Sequence, residues 1–382
     1  MKFKKENWFF NNPKKTIFFS IILLLLIVEI SSFIILKTWT LYKSYKPNAD
    51  IAISTYQRFD VHTYYNYKPN TNVTFDGWKR VIKGKIYWEF DNFGMVYTPN
   101  NKNKKNLPEK KVVLFGGSTV FGVGSSSLSN TIASNLHIFL NNDKSKYFYR
   151  VYNAGVRGYS SYQEFNRYLN DVRSQIEPDI VIDLNGRNDV HAVTEGLFRN
   201  NFDTNYTKYI EKQIEDNRFK KYPLFENTTD LLRLTINKLK KLSGYRDEKS
   251  KKKILFTTNK DIEKSLNNYI TLMNTFKEAV KQDKKKFFWI LQPVALYKKT
   301  LTNEEKSRLD DEARYFNINL ANYEKEIKFA YDYLTNVSNP GFIDLTDIFI
   351  NTNKTVYIDN CHYNDEGNKI IAKKISEVIL SN

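Results

Sequence analysis

Ser118 lies in a glycine-flanked segment, Gly-Gly-Ser-Thr-Val-Phe-Gly (residues 116–122), that directly follows an apolar run. A serine at a turn between a strand and a helix exposes its hydroxyl and can act as a nucleophile. A phosphate-binding loop is an alternative reading, but no Gly-Lys-Ser/Thr follows. The nucleophile turn of α/β-hydrolases has the sequence Gly-x-Ser-x-Gly, and this chain does not match it because Val120 stands at the last position. The segment alone makes Ser118 a candidate nucleophile among other possibilities.

A nucleophilic serine needs a base, and the chain has four histidines. His362 follows Asp359 by three residues, so one turn would let the carboxylate accept from Nδ1 and leave Nε2 for a serine. His137 falls inside an expected helix, and His62 and His191 are interpreted as surface or capping residues. Because 42 of 382 residues are acidic, an acidic residue three positions before a histidine often occurs by chance. The spacing of Asp359 and His362 is therefore weak evidence for a catalytic pair by itself.

Two further loops could supply hydrogen-bond donors. Residues 153–161 contain Gly158, where a backbone N–H can face a site without a side chain in the way. Residues 185–189 contain Asn188, whose amide could donate to an oxyanion. An Asn-Asp pair in a loop is more often a helix cap, so this alternative stays open.

Five apolar runs of strand length alternate with segments of helical spacing. The runs fall at residues 111–115, 149–152, 180–184, 287–291 and 342–345. One helical stripe consists of Tyr162, Phe165, Leu169 and Val172, and another, after a candidate cap at Asn364, consists of Ile371, Ile375 and Val378. This alternation predicts an α/β domain with a parallel five-stranded sheet and helices on both faces. Ligands of such sheets bind beyond the carboxyl ends of the strands.

The order of the loops carries more weight than any one of them. It resembles the SGNH (GDSL-type) hydrolases from about residue 111 to the C-terminus. The matching blocks are Gly116-Gly117-Ser118 at Gly-Asp-Ser, Gly158 at the second-block glycine, Gly186-Arg187-Asn188-Asp189 at Gly-x-Asn-Asp, and Asp359-Asn360-Cys361-His362 at Asp-x-x-His. Gly117 departs from the family pattern, which has an acidic residue there.

The resemblance implies a flavodoxin-like three-layer α/β/α fold and the hydrolysis or transfer of acyl esters. It implies Ser118, Asp359 and His362 as catalytic residues. It also implies an oxyanion hole made by the backbone N–H groups of Ser118 and Gly158 and the side chain of Asn188. We expect no cofactor and no metal, because one cysteine and four scattered histidines show no metal-ligand spacing.

Residues 17–36 form an apolar stretch of 20 residues, long enough to cross a membrane as a helix. Glu29 would cost about 3 kcal/mol there if charged, which the 16 Ile, Leu, Val and Phe residues at about −0.3 to −0.6 kcal/mol each offset. Glu29 is either a protonated or snorkelling carboxyl or a polar contact to another membrane protein. No small-residue cleavage site follows, so an uncleaved anchor is expected.

Lysines suggest the orientation of this anchor. Five precede the span and three follow it closely: Lys2, Lys4, Lys5, Lys14 and Lys15, then Lys37, Lys43 and Lys46. This bias predicts a single-pass protein with a cytoplasmic N-terminus and an extracytoplasmic catalytic domain. We expect a basic tail at 1–16, a linker and N-terminal extension that packs on the domain at 37–110, and the hydrolase-like domain at 111–382.

Residues 191–285 are longer than a crossover between strands needs, and they are interpreted as a helical insertion, a lid or cap, within that domain. The net charge of +17 would attract anionic partners. The lysines are scattered and no nucleic-acid-binding motif is present, so we expect no nucleic-acid partner.

Three functions follow from this reading. A membrane-anchored serine esterase that cleaves acyl esters, with acetyl favoured, of an extracytoplasmic glycan or lipid is preferred. The second is an O-acyltransferase that works with a membrane partner to modify a cell-envelope polysaccharide. The third is a non-catalytic binding or assembly module that retains the fold.

Overall fold

The computed structural model describes residues 12–45, 57–60, 62–76, 85–99, 102–103, 106–194, 228, 235, 258–316, 320–337 and 339–381. The chain divides into two compact units. The first comprises residues 1–48 and 207–253, and the second comprises residues 49–206 and 254–382.

The first unit contains the long helix α1, Pro13–Tyr45. Its part from Pro13 to Ile35 is, among the described residues, the one helix long and apolar enough to cross a membrane. The apolar side chains of this part are exposed, as at Leu24, which is 60% exposed. Thr228 and Thr235, also in this unit, are helical.

The second unit begins with two antiparallel hairpins. They consist of β1 (Gln57–Asp60) with β2 (Tyr64–Tyr67), and β3 (Asn72–Asp76) with β4 (Lys85–Glu89). Tyr67 and Trp88 from these hairpins are fully buried against Phe121 and Tyr159. The N-terminal extension therefore packs beneath the loops that carry Ser118 and Gly158.

A parallel five-stranded sheet forms the centre of the second unit. Its strands are β5 (Glu109–Gly116), β6 (Phe148–Asn153), β7 (Ile180–Asn185), β8 (Lys286–Leu291) and β9 (Phe342–Asp344). They pair in the order β6-β5-β7-β8-β9, and every pairing is parallel. All six residues of β7 are buried, because both faces of the sheet are covered. The predicted parallel five-stranded sheet is confirmed.

Helices cover the sheet on both faces. They are α2 (Ser118–Phe121), α3 (Ile132–Leu140), α4 (Ser161–Arg167), α5 (Arg187–Thr194), α6 (Asn259–Gln282), α7 (Asn303–Phe316), α8 (Leu320–Thr335) and α9 (Asp365–Ser381). Strand residues alternate between two cores: Val113 packs with Phe276 of α6, and Val112 packs with Leu136 of α3 and Ile375 of α9. The expected three-layer α/β/α fold is confirmed.

The apolar stripe predicted along α4 is wrong at one position. Leu169 is 36% exposed, whereas its neighbour Tyr168 is buried. The helix widens into a π turn over Tyr168–Val172, and the wider turn rotates the following residues relative to an α-helix. Helical spacing counted from the first turn therefore places Leu169 on the buried face, whereas Tyr168 occupies it in the structure.

The expected insertion at 191–285 overlaps the core at its end. Helix α6 buries Leu266, Met273 and Phe276 against the sheet and belongs to the second unit. Residues 195–257 of the expected insertion, apart from Thr228 and Thr235, lie outside the described residues.

Candidate active site

Ser118 is the first residue of the short helix α2, directly after β5. The helix ends at Gly122, which has φ +104° and whose N–H donates to the Ser118 carbonyl at 3.1 Å. A Cβ on Gly122 would lie 2.7 Å from Thr131 Cγ2 and 2.9 Å from Trp88 Cζ2. Both the conformation and the space thus require glycine at this end of the serine turn.

Ser118, His362 and Asp359 form one hydrogen-bonded chain. Ser118 Oγ lies 2.6 Å from His362 Nε2, and His362 Nδ1 lies 2.6 Å from Asp359 Oδ2. The His362 and Asp359 side chains are 17% and 28% exposed, so solvent or a substrate can reach them. An imidazole held between a carboxylate and a serine hydroxyl can take the serine proton.

The loop from Asp359 to His362 is held by its own backbone. Asp359 Oδ1 accepts from the backbone N–H groups of Cys361 and His362 at 2.9 and 2.8 Å. Helix α9 follows, and Asn364 Oδ1 accepts from the Gly367 N–H at 3.0 Å, which confirms the predicted cap. The carboxylate is therefore fixed with its second oxygen free for the imidazole.

These contacts set the pKa values of the pair in opposite directions. Burial would raise the pKa of Asp359, but the charge and hydrogen bond of His362 and the two backbone N–H groups lower it to about 2. Burial would lower the pKa of His362, but the Asp359 carboxylate raises it well above its usual value. The pair therefore favours an imidazolium beside a carboxylate, the state that forms when the serine loses its proton.

Asn188 packs against the serine turn. Its Nδ2 donates to the Tyr159 carbonyl at 2.7 Å. A Cβ on Gly117 would lie 2.4 Å from the same Nδ2. The departure from the Gly-Asp-Ser pattern at Gly117 thus makes room for the Asn188 amide beside Ser118.

Two backbone N–H groups near the serine are free to donate. Within the described part of the chain, neither the N–H of Ser118 nor that of Gly158 has an acceptor. Ser118 is the first residue of its helix, where backbone N–H groups have no intrahelical partner. The structure thus brings the predicted donors Ser118, Gly158 and Asn188 to the same edge of the sheet.

Asp189 and Ser161 hold the two donor loops together, a function that the sequence analysis missed. The Ser161 hydroxyl donates to Asp189 Oδ1 at 2.6 Å, and the Ser161 N–H donates to the same oxygen at 3.2 Å. Burial raises the pKa of Asp189 to about 6, against the opposing effect of these bonds. Asp189 was visible in the sequence as the last residue of its block, but nothing there linked it to Ser161.

The other three histidines lie elsewhere. His62 is exposed in the turn between β1 and β2, and His137 is buried in α3 with Nδ1 3.0 Å from the Tyr149 carbonyl. His191 is half-buried in α5. Burial, and then the charge of Arg187, lower its pKa to about 4.

Among the described residues, the group that could hold a metal overlaps the proposed catalytic chain at Asp359 and His362 and adds Cys361. Ligand atoms of Asp359, Cys361 and His362 lie within 4.8 Å of one another, the one such group among the described residues. The His362 nitrogen nearest Cys361 Sγ, at 3.7 Å, is Nδ1, which already faces Asp359. A metal there would compete with the carboxylate for this nitrogen.

A cavity of about 120 Å³ adjoins the site through Arg187 and Asn360. These two residues are neighbours in sequence of Asn188 and Asp359. Arg187 Nε lies 3.4 Å from Asn360 Oδ1, and apolar residues such as Val294 and Leu296 form the walls.

The sequence profile of the family described as GDSL-like Lipase/Acylhydrolase matches residues 112–375, more than half of the chain. The chain belongs to this family. As a member of the GDSL family it is a serine hydrolase that acts on acyl esters. The matched range includes every residue of the site described above, from Ser118 to His362.

The chain also resembles solved structures at low identity, and two of them are acetyl xylan esterases. An acetyl xylan esterase is 17% identical, with 70% of this chain and 99% of that chain covered and a TM-score of 0.34. An acetylxylan esterase from Geobacillus stearothermophilus is 16% identical, with 72% and 96% covered and a TM-score of 0.36. No curated protein sequence matches the chain. The GDSL assignment rests on the profile.

Proposed function

We propose that the chain is a membrane-anchored serine esterase that cleaves acyl esters, with acetyl favoured, of an extracytoplasmic glycan or lipid. The observation that carries the proposal is the hydrogen-bonded chain from Ser118 Oγ through His362 to Asp359, with 2.6 Å at each link. It lies within the GDSL family match, at the ends of parallel strands.

In the first half of the reaction, His362 Nε2 takes the Ser118 proton as Oγ bonds to the ester carbonyl carbon. The carbonyl oxygen becomes an oxyanion, which the N–H groups of Ser118 and Gly158 and the Asn188 amide stabilise. Collapse of this intermediate breaks the ester C–O bond. The proton on His362 passes to the departing alcohol, and an acyl-enzyme on Ser118 remains.

In the second half, a water molecule gives its proton to His362 and attacks the acyl carbon. The proton then returns to Ser118 Oγ, and the free acid leaves. Asp359 stays ionised throughout, because a pKa lowered to about 2 keeps it a carboxylate near neutral pH.

We assign α1 as the membrane anchor, with the N-terminus in the cytoplasm. Its length and exposed apolar surface support a span, and the excess of lysines before it supports this orientation. The reaction would then take place outside the cytoplasm, where envelope glycans and lipids carry acyl groups.

A sugar hydroxyl could replace water in the second half and make the chain an O-acyltransferase, for which a membrane partner would supply acyl groups. The deciding experiment incubates the full chain in detergent with a chromogenic acetate ester, with and without candidate oligosaccharides. Free acetate supports the esterase, and acetylated sugar supports transfer. Neither product at a rate above Ser118→Ala would favour a non-catalytic module.

The matched control for Ser118→Ala is Ser129→Ala. Ser129 lies eleven residues along the same segment and is exposed. Its replacement removes a hydroxyl of the same kind but leaves the hydrogen-bonded chain intact, so this variant should retain wild-type turnover.

A further inference from the structure

Lys298 and Glu305 form an ion pair that is closed to solvent. The Lys298 ammonium lies 2.8 and 2.6 Å from the two carboxylate oxygens of Glu305, and both side chains are 0% exposed. The ammonium also donates to the Lys354 carbonyl at 2.6 Å, so each of its three protons has an acceptor. Because desolvation offsets the attraction between buried charges, such a pair stabilises a fold little more than apolar side chains of the same volume. Its function lies in what its hydrogen bonds hold.

Glu305 holds the chain just before the catalytic loop, residues 358–362. Its Oε1 accepts from the backbone N–H groups of Val356 and Tyr357 at 2.9 and 3.1 Å. Burial raises the pKa of Glu305, but Lys298 and backbone N–H groups, these two included, hold it below its usual value. The buried carboxylate therefore stays charged, and its charge strengthens both hydrogen bonds.

The first turn of α7 fixes Glu305 in turn. The Thr302 N–H donates to Glu305 Oε2 at 2.8 Å, and the Glu305 N–H donates to Thr302 Oγ1 at 3.3 Å. This reciprocal pair is a capping box, which ties a side chain to the backbone at a helix start. Thr302 Oγ1 also lies 2.9 Å from Thr355 Oγ1. One oxygen of Glu305 is thus anchored to α7, and the other holds residues 356–357.

The catalytic loop is attached to the same part of the chain on both sides. Three hydrogen bonds join it and its neighbours to residues 293–308: the Arg308 guanidinium donates to the Tyr357 carbonyl at 2.8 Å, the Ala295 N–H to the Asn360 carbonyl at 2.9 Å, and the Tyr363 hydroxyl to the Pro293 carbonyl at 2.5 Å. Within the loop, the Ile358 N–H donates to the His362 carbonyl at 2.9 Å. Asp359 and His362 therefore lie in one closed turn, whose place depends on what holds residues 356–357.

We propose that Glu305, with its charge balanced by Lys298, is a positioning residue for ester cleavage. Through residues 356–357 it sets the place of the catalytic loop and so the contact between His362 Nε2 and Ser118 Oγ, which are 2.6 Å apart. Ser118 follows β5, on a different loop, so its proton can pass only while the two loops keep this distance. The inference rests on the proposed function for its catalytic effect, whereas the hold on the loop is independent of it.

A paired substitution tests the effect on turnover. Lys298→Met/Glu305→Leu removes both charges and both acceptors at similar volume, so the fold should persist. Its kcat should fall at least about tenfold with little change in KM, because the catalytic loop loses its hold while the substrate contacts stay. Lys298→Met/Glu305→Gln keeps an amide oxygen for Val356 and Tyr357 and should recover most of the loss. Wild-type kcat in Lys298→Met/Glu305→Leu, or equal losses in the two paired variants, would overturn the proposal.

Phosphonate labelling separates positioning from a loss of folded protein. At completion, the amount of fluorophosphonate on Ser118 counts the molecules whose site is assembled, and kcat is expressed per labelled site. A pair that only stabilised the fold would lower the count and leave kcat per site unchanged. Lys298→Met/Glu305→Leu should instead have a low kcat per labelled site, and a wild-type value per site would contradict the proposal.

The matched control is a second ion pair on the same part of the chain. Lys354 Nζ lies 2.8 Å from Glu366 Oε1 of α9, but these side chains are 73% and 42% exposed. Exposed pairs contribute little because water screens them. Glu366→Gln should therefore keep the wild-type kcat. A loss as large as that in Lys298→Met/Glu305→Leu would contradict a particular function of Glu305.

Hydrogen exchange tests the hold on the loop without a substrate. In the full chain in detergent, the peptide that carries the Val356 and Tyr357 amides should exchange at least about tenfold faster in Lys298→Met/Glu305→Leu than in the wild type, while peptides from β7 should not change. Faster exchange in a chain without esterase activity would end the proposed function and leave the hold of Glu305 on the loop standing. Unchanged exchange at residues 356–357, whatever the activity, or equal acceleration in β7, would overturn the positioning.

Discussion

The amide nitrogen of Asn188 lies 2.4 Å from the position that a β-carbon on residue 117 would occupy. Residue 117 follows β5, and residue 188 lies in the first turn of α5, which follows the neighbouring parallel strand β7. The glycine that departs from the family pattern and the asparagine that keeps it are therefore one structural unit. Gly117 gives Asn188 its place beside Ser118.

Gly117→Ala should displace the Asn188 amide and impair the stabilisation of the oxyanion. We expect kcat to fall about 10²-fold with little change in KM, as for the loss of one oxyanion-hole donor. Steady-state kinetics on a chromogenic acetate ester measure this. Asn188→Ala should show a similar loss, and the double variant should be little worse than either single variant. Additive losses would show that the two residues act separately.

The rate of ester hydrolysis should depend on the protonation of His362. Asp359 holds the pKa of His362 well above its usual 6.5, and only the neutral imidazole can accept the Ser118 proton. Activity is therefore lost as pH falls through this raised pKa, so the half-maximal pH of kcat/KM should lie above 6.5. A half-maximal pH at or below 6.5 would show that Asp359 does not raise the pKa of His362.

Asp359→Asn provides the comparison. It removes the charge that raises the pKa of His362, so the acidic limb should move to lower pH while kcat falls by about 10⁴-fold. Asp347→Asn, on an exposed carboxyl of the same domain, should leave both the limb and kcat unchanged. The pH profiles of the three proteins check this.

Glu164 and Asp183 form a buried acid pair that should make stability depend on pH. Both are fully buried, and apart from the hydrogen bond that the two acids share, no donor in the described part of the chain reaches Asp183 Oδ1, Asp183 Oδ2 or Glu164 Oε1. Burial is the largest cause that raises their pKa values, that of Asp183 to about 8. The folded protein therefore keeps a proton that the unfolded chain loses near pH 3.8.

The sign follows from linkage. Between about pH 4 and pH 8 the native state binds more protons, so the free energy of unfolding should fall by about 1.4 kcal/mol per pH unit for each proton that the buried pair keeps. Asp183→Asn should flatten the dependence, and Asp347→Asn should not. Denaturant unfolding of the full chain in detergent across this range measures it. If the free energy of unfolding of Asp183→Asn fell with pH as steeply as that of the wild type, the buried pair would not be the cause of the pH dependence.

The layers of the fold could be predicted from the sequence because they depend on local patterns. Five apolar runs became five parallel strands, and the Asn364 cap begins α9. The contact between Asp359 and His362 could also be predicted from local spacing, because one loop carries both residues. Leu169 shows the limit of this reading: a single π turn changes which residue faces the core.

What the sequence could not show are contacts between distant loops. Gly117 and Asn188 are 71 positions apart, and Asp189 and Ser161 are 28 positions apart. Neither pair has a periodic signature, because each depends on the order in which the strands assemble. Glu29 was expected to be either a protonated or snorkelling carboxyl or a polar contact to another membrane protein, and in the structure it accepts from Thr228, 199 positions away.

Covalent labelling of Ser118 tests the central claim most directly. A fluorophosphonate should form an adduct with the wild-type chain, and peptide mass spectrometry should place that adduct on Ser118. Ser129→Ala should be labelled as the wild type is, and Ser118→Ala should neither be labelled nor cleave the acetate ester above background. Folded wild-type protein without an adduct, or an adduct and ester cleavage that persist in Ser118→Ala, would contradict a nucleophilic Ser118.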